Sequence, residues 1–406
     1  MTQVRWRARV LTPRDPSRVE LVPDALVELQ GGRIAQVRAY AGEPVDEDLR
    51  DGVLVPGFVD AHLHYPQTRI VGSATGPLLD WLERSTFPEE ARFADEAHAR
   101  AVAERFCTSL ARAGTTWSLV YGPVFPRATD VLLEVAAARG LRMMAGPVLM
   151  DEHCPEALRL PQEPAMAALR DLARRWHGRQ GMQIAVIPRF ALSCSASMLA
   201  AAGELAADLG LVVSTHLAET VDECRIACER FDAPDYLAVY ERAGLVRAGS
   251  VFAHCIHLSD AEWDRLAEAG CVVAHCPDSN DFLGSGGMPV GEPVRRGVQV
   301  ALGTDLAAGR TFRVPRIASS AYDNGLRRGH PLPPAQVLWW ATRGGALALG
   351  RPDAGWIAPG HAADLALFAP PPWAETADDI VAALVFDHDA EPMRRTWVAG
   401  RTVWEA

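Results

Sequence analysis

Apolar and polar positions follow two rhythms along this chain. The ends alternate over short spans, while the middle repeats an apolar run followed by an alanine-rich stretch of helical period. Residues 25–37 read as a strand, a Gly31-Gly32 turn and a second strand, the pattern of a hairpin. Residues 364–368 and 395–404 are strand-like too, the latter broken by Ala399-Gly400. The two ends therefore predict a small β-sandwich domain assembled from 1–56 and 357–406.

The middle predicts something else. Apolar, strand-like runs lie at 53–59, 116–120, 141–150, 183–188, 212–216, 250–254, 271–275 and 299–303. Helical patterns separate them, as at 97–113, 130–139, 198–209 and 260–269. Eight β-α units in a domain spanning 57–356 predict an α/β fold, a (β/α)8 barrel of the TIM type. An open doubly wound sheet is the competing architecture, but it usually opens on a glycine-rich turn. None follows 53–59.

A barrel places its functional residues where strands end. The first run leads into His62-Leu63-His64, and a strand period of two turns both imidazoles the same way. The fifth ends Thr215-His216-Leu217-Ala218-Glu219, the sixth Ala253-His254-Cys255, the seventh Ala274-His275-Cys276 and the eighth Gly303-Thr304-Asp305. A lone histidine after a strand is more often structural. Five strand ends carrying His, Glu or Asp point to one shared site. His62, His64, His216 and Asp305 form a ligand set for a divalent ion, Zn2+ or Fe2+. Glu219 is placed to be the general acid/base, and His254 to stabilise the nucleophile and the developing tetrahedral centre. Asp305 could also hold the attacking water. For His275, support of a ligand and substrate contact remain equal readings.

Composition narrows the classes. The chain has 406 residues, a charged fraction of 22% and a net charge of -11. That balance argues against a nucleic-acid surface, and no apolar stretch is long enough to span a bilayer. Met1 to Pro13 lacks an apolar core of the signal-peptide kind. Eight scattered cysteines without a Cys-x-x-Cys pair fit a reducing cytoplasm. All 40 basic residues are arginine. The absence of lysine excludes a Schiff-base lysine, a P-loop and a carboxylated-lysine metal bridge.

Pro56-Gly57-Phe58-Val59-Asp60-Ala61-His62-Leu63-His64, Thr215-His216-x-x-Glu219, His254, His275-Cys276-Pro277-Asp278-Ser279-Asn280 and Gly303-Thr304-Asp305 resemble the amidohydrolase superfamily, in its mononuclear-metal deaminase branch. Arg189 stands where the binuclear branch often carries its bridging lysine. More specific segments resemble the guanine deaminases: His64-Tyr65-Pro66-Gln67-Thr68, Leu78-Leu79-Asp80-Trp81-Leu82, Thr86-Phe87-Pro88-Glu89-Glu90, Pro188-Arg189-Phe190 and Phe282-Leu283-Gly284-Ser285-Gly286. The resemblance implies one Zn2+ per chain and hydrolysis of guanine to xanthine and ammonia. It implies base contacts from Gln67, Arg189, Phe190 and His254, with the backbone near Trp81 and Leu82 against the purine. It further implies a homodimer whose partner is a small-molecule purine, with no nucleic acid and no membrane. Ala218, Thr220 and the Leu306-Ala307-Ala308-Gly309 stretch depart from the family pattern and touch fine substrate preference. A deaminase of another amino-substituted ring, such as an oxidised purine, a pterin or a triazine, is the alternative. A non-catalytic scaffold is the more distant one.

Overall fold

Gly57 stands between two sheets. Its N–H bonds the Asp364 carbonyl at 2.9 Å, and the next N–H, of Phe58, bonds the Gly114 carbonyl at 2.9 Å. The apolar run read as one strand at 53–59 is therefore two. Glu47–Pro56 belongs to the sheet of the termini, and Phe58–His64 opens the barrel. Space enforces glycine at the junction, because a Cβ there would lie 2.2 Å from Thr116 Oγ1. The computed structural model describes residues 3–73, 76–387, 389 and 393–406.

The barrel strands are Phe58–His64, Thr115–Gly122, Met143–Leu149, Met182–Pro188, Val212–Leu217, Val251–His254, Val272–His275 and Gln299–Leu302. They are parallel and adjacent in chain order. Strands covered on both faces need apolar residues at successive positions, and every residue of the first three is buried. The seam between first and eighth strands closes at the C-terminal rim. Asp305 N–H bonds the His62 carbonyl at 2.8 Å and His64 N–H bonds the Leu306 carbonyl at 3.3 Å. Thr304 adds two bonds to the buried Asp60 carboxyl, 2.9 Å from its N–H and 2.6 Å from its hydroxyl.

The termini build a seven-stranded mixed sheet, in the order Arg401–Glu405, Arg395–Val398, Leu365–Phe368, Glu47–Pro56, Gln3–Asp15, Arg18–Gln30, Arg33–Ala39. It curls until its ends meet. Trp6 and Trp397 pack with ring centroids 4.9 Å apart. The turn at Gly32 abuts the turn at Ala399, bridged by Ala363 N–H to the Gly32 carbonyl and Gly400 N–H to the Ala363 carbonyl. We propose the division into 1–56 with 357–406 against 57–356. A separate hydrophobic cluster of Trp6, Val27, Leu54, Leu365 and Trp397, among others, supports it. One C-terminal helix, Ala377–Phe386, crosses to the barrel side, where Phe386 packs on Tyr322.

Candidate active site

The rim where the seam closes carries unusual backbone. Ala218, His254, Cys255 and Asp305 all have positive φ, of 54°, 73°, 50° and 46°. Non-glycine residues adopt this region at a cost, and it recurs where a side chain must be aimed. Here it turns the chain sharply at the ends of the fifth, sixth and eighth strands.

His62, His64, His216 and Asp305 converge at these ends, with one donor atom of each within 4.8 Å of every other. His64 Nε2 and His216 Nε2 are 3.2 Å apart, and Asp305 Oδ1 lies 3.3 Å from His62 Nε2 and 3.4 Å from His64 Nε2. Four donors on one zinc at about 2.0–2.1 Å are separated by about 3.3 Å in a tetrahedron. The donors are thus spaced as ligands of a common ion. Both nitrogens of His62 are buried without a hydrogen-bond partner among the described residues, a costly state unless something fills the centre. His216 Nδ1–H donates to the Arg189 carbonyl at 2.6 Å, which leaves the Nε2 lone pair for an ion. Burial pushes the pKa values of all three histidines down, toward the neutral form that ligates. Burial works against the charge of Asp305, but the imidazoles of His62, His254 and His64 around it hold its carboxyl well below the usual range. Its other oxygen accepts from the Ser279 hydroxyl. The residues present fit a single divalent ion.

Glu219 and His254 flank this set. Glu219 lies between the fifth strand and the helix Val221–Phe231. Its N–H is held by Glu223 Oε2 at 3.0 Å, and Glu223 in turn accepts from the Tyr236 hydroxyl at 2.7 Å. The Glu219 carboxyl accepts from Ser285 Oγ at 3.1 Å. Burial pushes it up to about 7, against the opposing pull of His254. His254 Nδ1 donates to Asn280 Oδ1 at 2.8 Å, so Nε2 faces Glu219 Oε2 at 3.5 Å and Asp305 Oδ2 at 3.9 Å. Burial alone would lower the His254 pKa; those two carboxylates raise it. A carboxyl poised near neutrality beside an imidazole whose pKa is raised can move a proton in either direction.

A narrow pocket opens on these groups. Gln67, Trp81, Leu82, Arg189 and Phe190 line it together with His64, His216, Glu219 and Asp305. His62 and His254 are fully buried and off its lining; His254 reaches the centre through Glu219 and Asp305. Arg189 also makes the strand-end ion pair that its position allowed, to Glu90 at 2.7 Å. His275 is buried, both ring nitrogens lack partners among the described residues, and burial lowers its pKa to about 3. Sequence reasoning gave no role to Glu90, Ser279, Asn280, Ser285 or Glu223. Two adjacent acids, Glu89-Glu90, directly after Phe87-Pro88 were the available signal for the first.

The sequence matches the amidohydrolase family over residues 53–403, and this chain belongs to that family. Its relatives are more specific. A probable guanine deaminase of Deinococcus radiodurans is 41% identical over 388 residues, covering 91% of this chain and 88% of that protein. The solved guanine deaminase of E. coli superposes with a TM-score of 0.94 at 33% identity over the whole of both chains. A guanine deaminase from C. acetobutylicum, solved with guanine bound in its active site, gives a TM-score of 0.94 at 25% identity, covering 99% of this chain and 100% of that one.

Proposed function

We propose that this chain is a guanine deaminase that hydrolyses guanine to xanthine and ammonia. The observation that carries the reading is the juxtaposition of the four-donor set with a pocket lined by Arg189, Gln67 and Phe190. The relatives agree with it. A purine panel with ammonia detection, including guanine, adenine, an 8-oxopurine, a pterin and a triazine, tests it. Guanine should be the preferred substrate, and preference for another ring would overturn the assignment.

His62, His64, His216 and Asp305 would hold the ion, and we assign Zn2+, with Fe2+ the second candidate for this donor set. When bound, the ion supplies the Lewis acidity that makes water nucleophilic near neutral pH. The remaining work falls to side chains. Glu219 takes the proton of the attacking water and delivers it to ring N3 as the C2–O bond forms. The proton of the hydroxyl now on C2 is then carried to the 2-amino group, the C2–N bond breaks as the C2 carbonyl forms, and ammonia departs, so one water is consumed and one ammonia released. His254, facing the carboxylates of Glu219 and Asp305, stabilises the oxygen developing at C2. Arg189 donates to O6, Gln67 holds the ring edge and Phe190 offers a face for stacking. The backbone at Trp81 and Leu82 closes the far side.

No helix among the described residues is long and apolar enough to cross a membrane. All eight cysteines are free, which supports our assignment to a reducing cytoplasm. We also assign a homodimer, which light scattering on the purified protein tests directly.

A further inference from the structure

Behind the pocket wall, one buried carboxylate meets two of the residues that line it. Glu90 lies in the short helix Phe87–Ala91 and is fully buried. Its Oε2 accepts from Arg189 Nη1 at 2.7 Å, and its Oε1 accepts from Gln67 Nε2 at 3.2 Å. Gln67 is fixed from its other end, since its Oε1 accepts the Ala307 N–H at 3.2 Å. An amide alone could present either its oxygen or its nitrogen to a ligand. With its oxygen turned to Ala307 and one N–H on Glu90, the group it has free for a ligand is its second N–H. Arg189 is constrained in the same way, with one nitrogen tied to Glu90 and Phe87 beneath its guanidinium carbon at 5.5 Å. Among the described residues no other acceptor meets that guanidinium.

We propose that Glu90 is a specificity-determining positioning residue, which turns Arg189 and Gln67 so that this wall of the pocket presents hydrogen-bond donors only. The inference rests on the guanine reading above. A donor-only wall complements the O6 and N7 acceptors of guanine and opposes a ring with an amino group at C6. Glu90 also balances the buried Arg189 charge, so the wall reads by hydrogen bonding and does not attract anions. Since Glu90 does not line the pocket, its influence on choice of substrate runs through its two partners.

The test compares guanine with 2,6-diaminopurine, which keeps the reacting 2-amino group and replaces O6 by a donor. kcat/KM for both is measured in the parent protein, Glu90→Gln, Glu90→Asp and Arg189→Ala, with metal content determined in each. Glu90→Gln keeps an oxygen for one donor but sets an N–H group against the other, so Gln67 and Arg189 can no longer both hold their orientation. The guanine to 2,6-diaminopurine ratio should fall at least about tenfold, chiefly through a higher KM for guanine, with metal content unchanged. Removing one partner of a buried ion pair is strongly destabilising. Glu90→Asp therefore runs beside it, keeping the charge but lacking the reach to bridge both partners, and should move the ratio the same way. It decides alone if Glu90→Gln does not fold. A proportional loss on both substrates, with the ratio intact, would mean that Glu90 only supports the fold and would overturn the proposal. The Arg189→Ala arm separates the two readings. If it abolishes the preference while the Glu90 variants keep it, the assignment to Glu90 fails alone. If the ratio survives in every variant, the base-reading role of Arg189 falls and the proposal with it.

Discussion

His216 Nδ1 lies 2.6 Å from the backbone carbonyl oxygen of Arg189, so one residue serves both halves of the site. Its main chain orients an imidazole of the proposed metal set while its side chain lines the pocket proposed to take the base. The two services are separable by mutation, because a substitution at Arg189 leaves the carbonyl in place.

Arg189→Ala should keep its metal and lose guanine turnover. The expected fall in kcat/KM is about 10- to 100-fold, the worth of one hydrogen bond to a charged group. Discrimination against 2-aminopurine, which lacks O6, should shrink in the same variant. Steady-state kinetics on both purines, beside elemental analysis, checks this; unchanged guanine kinetics would remove Arg189 from base reading.

Glu219→Gln preserves size and the Ser285 contact but cannot accept a proton. Turnover should drop by at least the ~10²-fold of a lost general acid/base, with guanine binding and metal retained. Binding measured by calorimetry separates this from a folding defect. Near-normal turnover would assign the proton transfer elsewhere.

The purified protein should hold about one divalent ion per chain, as a four-donor set allows. Alanine at His62, His64 or His216 should remove both metal and activity. Two tightly bound ions per active chain would contradict the single-ion assignment. His62 is the sharpest position, since among the described residues its ring nitrogens have no hydrogen-bond partner to fall back on.

His275 gives a pH dependence of stability away from the proposed ligands. Burial holds its folded pKa at about 3, below the ordinary value of 6.5. Between those values the unfolded chain binds the proton and the folded chain does not, so unfolding free energy rises with pH across the window. Acidification from 6.5 toward 3 should cost about 1.4 kcal/mol per pH unit from this residue, with no contribution above 6.5. Denaturant titrations of the parent and His275→Gln between pH 4 and 7 measure it. The variant should lose that slope, and identical slopes would show that His275 has a partner for its proton.

The barrel was legible because strands buried on both faces must be apolar throughout, and those runs stand out between helical stretches. The donors were legible because barrel geometry fixes where polar residues follow such runs. The boundary at Gly57 was not. An apolar run carries no mark of which sheet each residue joins, and the break depends on Gly114 and Asp364, far away in sequence. Glu90 escaped for a related reason. Its meaning comes from Arg189, 99 positions on, and an acid in a short helix otherwise reads as solvent-exposed. The helical turns over Leu78–Ala91, including a π-helical turn at Leu82–Thr86, likewise have no periodic pattern long enough to read.

The seam described above also sets an order of events during synthesis. His62 and His64 leave the ribosome first of the four donors, His216 after them and Asp305 last. The Asp305 N–H that reaches back to the His62 carbonyl joins the first strand to the last. Until then no nascent chain presents the full donor set, however much metal surrounds it. On the proposed ligand set, capture of an ion waits for Asp305, and a ribosome-bound fragment ending before Asp305 should emerge without the complete site.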